Sequence, residues 1–86
     1  MQNYLSQFSG ELVGISAIAD ACKRAGFDVI ETSEHRYGCK VSVKSLGIDM
    51  RGTPQSDLER RLRVVGLELQ VWNELDNSMV VREMRL

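Results

Sequence analysis

The chain has 86 residues, of which 43% are hydrophobic and 27% are charged, and its formal net charge is -1. This size indicates one globular domain, residues 1–86, with a single thin core. The near-neutral charge gives no global signal for nucleic acid, and no apolar run reaches the length of a membrane span. The sequence MQNYLSQFSG at the N-terminus contains neither a basic leader nor a hydrophobic export segment, so we expect a cytoplasmic protein without membrane contact.

The N-terminal part of the chain is compatible with more than one structure. Apolar residues recur at helical spacing through residues 5–22, but Gly10 and Gly14 would each cost a helix interior about 1 kcal/mol relative to alanine. We therefore expect the first helix to begin near Ser9, which can act as its cap. Strand, helix and tail all remain open for residues 1–8.

The first helix is predicted to end at Gly26, and a hairpin is predicted to follow it. Residues 27–32 and 39–46 alternate between apolar and polar side chains, as half-buried strands do, and residues 33–38 form the loop between them. Residues 47–52 either prolong the second strand or cross to the next helix.

The second helix has the clearest boundaries in the sequence. Thr53 is a good N-cap, Pro54 suits the first helical position, and Gly66 suits a left-handed stop at the C-terminus. Residues 67–72 and 79–86 then predict a second hairpin.

Two parts of the chain, about 14–46 and 54–86, repeat one pattern at an offset of 40 residues. Gly66 corresponds to Gly26, and apolar residues of the two helices and hairpins correspond in the same way. A helix-strand-strand unit therefore occurs twice. This predicts an α+β fold in which a four-stranded antiparallel sheet has two helices on one face.

Strict alternation assigns every strand residue to one face of the sheet. The predicted inward residues are Phe27, Val29, Glu31, Cys39, Val41, Val43, Leu67, Leu69, Val71, Met79, Val81 and Glu83. The predicted outward residues are Asp28, Ile30, Thr32, Lys40, Ser42, Lys44, Glu68, Gln70, Trp72, Val80, Arg82 and Met84. Trp72 would then face solvent, unless the N-terminal segment covers it or a phase shift of one residue exchanges the two faces.

The apolar residues on the outward face predict a contact with another protein. Trp, Met and Arg are enriched at the centres of protein interfaces. The candidate partner site comprises Ile30, Trp72, Val80, Arg82 and Met84. We expect a small non-catalytic protein-binding module, which would be an adaptor, inhibitor or regulator. Because its core is modest, we also expect it to form a homodimer.

The alternative hypothesis is a nucleic-acid-binding module, in which bases stack on Tyr37 and nearby cations contact phosphates. The candidate residues are Arg36, Tyr37, Lys40 and Lys44 of the first hairpin and Arg51, Arg60 and Arg63 around the second helix. Acidic residues interrupt these cations, so they form no basic stripe. In the second helix, Asp57 with Arg61 and Glu59 with Arg63 have the spacing of ion pairs.

A third hypothesis is an enzyme that uses His35 and Cys39. His35 is the only histidine, and Cys39 lies four residues after it. A nucleophilic Cys39 would need an outward thiol, whereas alternation points it into the core. The chain has no CxxC or HExxH motif. We therefore predict no catalytic residue, no metal site and no cofactor, and we expect Cys22 and Cys39 to be buried thiols.

Overall fold

The computed structural model of the protein describes residues 14–84. Its elements, in chain order, are helix α1 (residues 14–24), strands β1 (Asp28–His35) and β2 (Gly38–Lys44), a 3-10 helix (Met50–Gly52), helix α2 (Gln55–Val64), and strands β3 (Leu67–Asn73) and β4 (Ser78–Glu83). The strands form one antiparallel sheet in the order β1-β2-β4-β3. The predicted α+β fold is therefore confirmed, and the helix-strand-strand order occurs twice.

The core lies between the two helices and one face of the sheet. Its buried residues form a single cluster, which comprises Ala21, Cys22, Phe27, Cys39, Val41, Val43, Met50, Leu58, Leu62, Leu67, Met79 and Val81. Cys22 of α1 and Leu62 of α2, which are 40 residues apart, are both 0% exposed within this cluster. Because both helices pack on the same set of strand residues, they cover the same face of the sheet, as predicted.

Each unit passes from helix to strand through a glycine with left-handed backbone geometry. Gly26 has φ of 102° and Gly66 has φ of 82°, a region that favours glycine because it has no Cβ atom. The residue after each glycine, Phe27 or Leu67, is 2% exposed. The predicted C-terminal ends of both helices are confirmed, whereas the predicted start of α1 near Ser9 lies outside the described residues.

Helix α2 begins one residue later than predicted. Pro54 is the N-cap residue in place of Thr53, because its ψ of 145° is extended and not helical. The Pro54 carbonyl oxygen accepts hydrogen bonds from the N–H groups of Asp57 (3.0 Å) and Leu58 (3.1 Å). No side chain caps this end of the helix, so the proline carbonyl and the Asp57 charge in the first turn stabilise the N-terminus.

The first hairpin has a tighter turn than the loop predicted over residues 33–38. His35 is paired directly with Gly38 across β1 and β2. Gly38 has φ of 147°, and a Cβ atom at this position would lie 2.2 Å from the Val81 carbonyl oxygen. Only glycine therefore fits at the start of β2, where β4 passes close to the backbone.

Residues 47–52 cross to the second unit and do not prolong β2. Met50, which is 0% exposed, fixes the 3-10 helix in the core. The side chain of Asn77 joins this crossing to the second hairpin. Its Oδ1 accepts a hydrogen bond from the Met50 N–H, and its Nδ2 donates to the Val43 carbonyl oxygen, both at 2.8 Å.

Two β-bulges change the predicted faces of β1 and β3. The pairing of β1 with β2 shifts at Ile30, and the pairing of β3 with β4 shifts at Gln70. A bulge adds one residue to a strand, so the inward and outward positions exchange beyond it. The two bulged residues are 40 positions apart, which makes the bulge a feature of both units.

Beyond each bulge the face assignment from strict alternation is wrong. Trp72 is paired with Met79, which is buried in the core, so Trp72 faces the helices. Val71 lies on the opposite face of the sheet and is 44% exposed. The bulge at Ile30 has the same effect in β1, where Thr32 faces the helices and Glu31 faces away from them.

Candidate protein-binding face

The candidate site is the face of the sheet opposite the helices, which we term the open face. Its apolar residues are Ile30, Val71 and Val80, and its charged residues include Lys40, Lys44, Glu68 and Arg82. Lys40 and Val80 are paired directly at its centre, where β2 meets β4. Many protein interfaces combine apolar and charged residues.

Three of the five residues predicted to bind a partner lie on the open face. Ile30, the bulged residue of β1, is 56% exposed, and Arg82 of β4 is also exposed. Val80 lies on this face, but it is only 4% exposed, so it is less accessible than predicted. Its neighbour Val71 supplies the accessible apolar surface instead.

Trp72 and Met84, the other two residues, lie elsewhere. Trp72 is half-buried and packs against the core, and its Nε1 is buried without a hydrogen-bond partner among the described residues. Met84 follows the end of β4 and donates its N–H to the Gly66 carbonyl oxygen at 2.9 Å. It also lines a groove of about 230 Å³ together with Ala17 and Ala21 of α1.

Val71 is an apolar open-face residue that strict alternation assigns to the opposite face. It is paired with Val80 across β3 and β4. The preceding bulge at Gln70 has no mark in the sequence, because no glycine or proline interrupts the alternation of β3. A regular strand was therefore the natural expectation, and it gave Val71 the wrong face.

Ion pairs within the chain reduce the free charge of the open face. Lys40 Nζ lies 3.8 Å from Asp76 Oδ2, and Arg82 pairs with Glu68 across β4 and β3. Both pairs are solvent-exposed, so each contributes little to stability. Because these cations already have carboxylate partners, the face attracts a polyanion only weakly.

The arginines near α2 also contact carboxylates. Asp57 Oδ1 accepts a hydrogen bond from Arg60 at 2.5 Å, and Asp57 Oδ2 accepts one from Arg61 at 2.9 Å. These hydrogen bonds hold the pKa of the Asp57 carboxyl below its usual value. Arg51 pairs in the same way with Asp49, whose pKa is lowered by the hydrogen bonds from Arg51.

One predicted ion pair of α2 is found and the other is not. The pair of Asp57 with Arg61 is confirmed, but Glu59 accepts a hydrogen bond from Gln55 Nε2 at 3.1 Å and does not contact Arg63. Of the three arginines proposed to bind phosphate around α2, Arg51 and Arg60 are therefore held by carboxylates within the chain, whereas Arg63 forms no ion pair among the described residues. This weakens the case for nucleic-acid binding at α2.

The tip of the first hairpin brings a cation and two rings together, as the alternative hypothesis requires. Arg36 Cζ lies 5.8 Å from the centroid of the Tyr37 ring, and the rings of His35 and Tyr37 are 5.5 Å apart at 42°. Lys44, however, is at the opposite end of β2, and Lys40 between them is paired with Asp76. These residues therefore form no continuous basic path.

Both cysteines are free and buried, as predicted. Burial, together with a smaller effect of the nearby Cys39, raises the pKa of the Cys22 thiol to about 12; burial also raises the pKa of Cys39. His35 and Cys39 line one open cleft of about 620 Å³ beside α1. Cys39 is nevertheless only 2% exposed, and His35 Nδ1 accepts a hydrogen bond from the Tyr37 N–H. This arrangement does not activate the thiol.

Within residues 14–84, no group of three or more His, Cys, Asp or Glu side chains is arranged to hold a metal ion. In the same part of the chain, no helix is both long and apolar enough to cross a membrane. Comparison with protein-family models, curated proteins and solved structures gives no significant match to this chain.

Proposed function

We propose that the protein is a cytoplasmic, non-catalytic protein-binding module, an adaptor, inhibitor or regulator, that contacts its partner through the open face. The observation that carries this proposal is the exposed apolar surface of that face. Ile30 on the outer strand β1 is 56% exposed, and Val71 on the outer strand β3 is 44% exposed and pairs with Val80. Exposed apolar side chains grouped on one sheet face gain free energy when a partner covers them.

The two edges of the sheet favour a contact through the face over a contact through an edge. β1 and β3 are the outer strands, and each carries a bulge, at Ile30 in β1 and at Gln70 in β3. A bulge interrupts the regular row of backbone groups that an added strand would need. Extension of the sheet by a partner strand is therefore disfavoured, and the open face is the larger regular surface.

The ion pairs favour a protein partner over a nucleic acid. A phosphate backbone would have to draw Lys40 away from Asp76 and Arg82 away from Glu68. A protein partner can cover Ile30 and Val71 and leave both ion pairs intact. This difference supports protein binding as the leading function, with nucleic-acid binding as the alternative.

A second copy of the chain is the first partner to test. Covering Ile30 and Val71 would remove exposed apolar surface from a small protein whose core is modest. We expect sedimentation velocity over a wide concentration range to show a monomer and dimer in exchange. A constant monomer mass at every concentration would leave a different protein as the partner.

The substitution Val71→Asp tests the open face directly. It places a charge in the exposed apolar surface of the open face, whereas Val64→Asp places the same charge on α2 at a residue that is 83% exposed. We expect Val71→Asp to weaken binding to the second copy, or to a partner purified from the native cell, at least about tenfold, or 1.4 kcal/mol. Val64→Asp should bind like the unmodified protein.

Equal affinities for Val71→Asp, Val64→Asp and the unmodified protein would contradict the proposal. A mixed oligonucleotide provides the test of the alternative. Binding at low salt that weakens steeply as salt is raised would support a nucleic-acid function. We expect no such binding, because Lys40 and Arg82 of the open face are paired with carboxylates within the chain.

A further inference from the structure

The β3–β4 turn, residues 74–77, holds an apolar side chain in solvent on an ordered backbone. Leu75 is 96% exposed. Its N–H donates to Asn73 Oδ1 at 3.0 Å, and the Ser78 hydroxyl donates to Asp76 Oδ1 at 2.5 Å. The side chains at the two ends of the turn therefore fix the backbone on both sides of Leu75.

Asn77 fixes the same turn to the rest of the fold. Its backbone is left-handed, with φ of 54°, and its carbonyl oxygen accepts a hydrogen bond from the Val43 N–H at 3.0 Å. Its side chain also bonds to Val43 and Met50, both at 2.8 Å. The turn is thereby joined to β2 and to the crossing segment, and its shape is set before any partner arrives.

The fold does not require a leucine at the tip of this turn. Turn positions are usually filled by polar residues or glycine, and a side chain that is 96% exposed contributes almost nothing to the core. Leu46, which is 84% exposed, follows β2 at the same end of the sheet, because Ser42 near the end of β2 pairs with Ser78 at the start of β4. Two highly exposed leucines therefore lie at one end of the molecule.

The charges beside Leu75 indicate the chemistry of its partner. Glu74 and Asp76 flank it, so the apolar tip lies between two carboxylates. Asp76 contacts Lys40 of the open face, whereas Glu74 forms no ion pair with any residue from 14 to 84. A complementary surface would combine an apolar pocket for the leucine with a lysine or arginine at its rim.

We propose that this turn is a second contact of the module, in which Leu75 enters an apolar pocket of the partner protein and Glu74 meets a basic residue at the pocket rim. The proposal rests on the protein-binding function proposed above. The contact between Asp76 and Lys40 makes the turn continuous with the open face. Because the turn is already ordered, little conformational entropy is lost when the leucine is bound.

Photo-crosslinking in the full chain tests the contact. A photoreactive amino acid replaces Leu75 in one variant and Val64, the exposed valine of α2, in a matched control. In extract of the native cell, we expect position 75 to crosslink to one protein and position 64 not to do so. The crosslinked peptide of that protein should contain a lysine or arginine beside apolar residues.

Affinity measurements with the purified crosslinked protein complete the test. We expect Leu75→Ser to bind at least tenfold more weakly than the unmodified chain, and Val64→Ser to bind unchanged. Glu74→Gln should bind more weakly at low salt and should show a smaller loss of affinity as salt is raised. Thermal unfolding of each variant should match that of the unmodified protein, because neither leucine nor glutamate is buried.

The results separate the two contacts. Equal crosslinking at positions 75 and 64, or unchanged affinity for Leu75→Ser, would overturn the contact at the turn. If Val71→Asp still weakens binding in that case, the open face is a binding surface and the turn is not part of it. If Leu75→Ser and Val71→Asp both bind like the unmodified chain, both proposals fail.

Discussion

Trp72 and Met79 are directly opposed across β3 and β4, and both side chains face the helices. The bulge at Gln70 produces this arrangement, because one added residue moves every later position of β3 to the other face. The indole therefore extends the core, while Val71 takes the position on the open face. The surface proposed to bind a partner depends on this relationship.

Substitution of Trp72 should affect stability more than binding. We expect Trp72→Ala to lower the free energy of unfolding by about 3 kcal/mol, because a large side chain packed on the core would be lost. Trp72→Phe should cost about 1 kcal/mol or less, since the buried indole N–H has no partner to lose. Urea denaturation followed by circular dichroism measures both. A stable Trp72→Ala variant would show that the indole is not part of the core.

Gly38 should tolerate no side chain. Its φ of 147° is strained for any other residue, and a Cβ atom would lie 2.2 Å from the backbone oxygen of Val81. We expect Gly38→Ala to destabilise the fold by more than about 3 kcal/mol. Gly52→Ala is the control, because no atom lies within 4 Å of a Cβ atom there, and its stability should stay within about 1 kcal/mol of the unmodified protein. Similar melting temperatures for the two variants would contradict the close approach of β4.

The amide group of Asn77 should be required as well as its carbonyl oxygen. Asn77→Asp keeps the acceptor for the Met50 N–H but removes the donor to the Val43 carbonyl oxygen. We expect a loss of about 2 kcal/mol in the free energy of unfolding. Asn73→Asp is the matched control, because the Asn73 side chain only accepts a hydrogen bond, from the Leu75 N–H. Equal losses for the two variants would exclude a specific role for the Asn77 amide.

The buried thiols should resist labelling and should make stability depend on alkaline pH. Burial raises the pKa of Cys22 from its ordinary value of 9.0 to about 12. Between pH 9.0 and about 12 the unfolded chain therefore releases a proton that the folded chain retains, so stability is full below this range and falls as pH rises through it. The stability of Cys22→Ala should decline less steeply over the same pH range.

Thiol labelling tests the burial of both cysteines separately. At pH 8, a thiol reagent should react slowly until denaturant is added, and rapid labelling of the folded protein would contradict the burial.

The order of elements could be predicted because the ends of both helices have a local cause in the sequence. Gly26 and Gly66 end the helices, and the repeat at 40 residues gives each helix the same pair of strands after it. The exact start of α2 could not be predicted, since Thr53 and Pro54 are both compatible with a helix N-terminus and the ψ angle of the proline decides between them.

The candidate site was harder to predict because it depends on the phase of two strands. Ile30 was placed correctly on the open face, although it is itself a bulged residue. Trp72 was assigned to the wrong face, since a bulge is set by the packing of neighbouring strands and has no residue type of its own here. Met84 follows the end of β4 at Glu83, so the alternation of that strand does not determine its face.

The face assignment of β3 is tested most directly by nuclear Overhauser effects from the Trp72 indole protons, since Trp72 is the only tryptophan. The pairing of Trp72 with Met79 predicts strong cross-peaks to the Met79 side chain, and it predicts that the Val71 methyl groups give cross-peaks to Val80. Indole cross-peaks to Val80 and Lys40, without any to Met79, would place Trp72 on the open face and contradict the proposed surface.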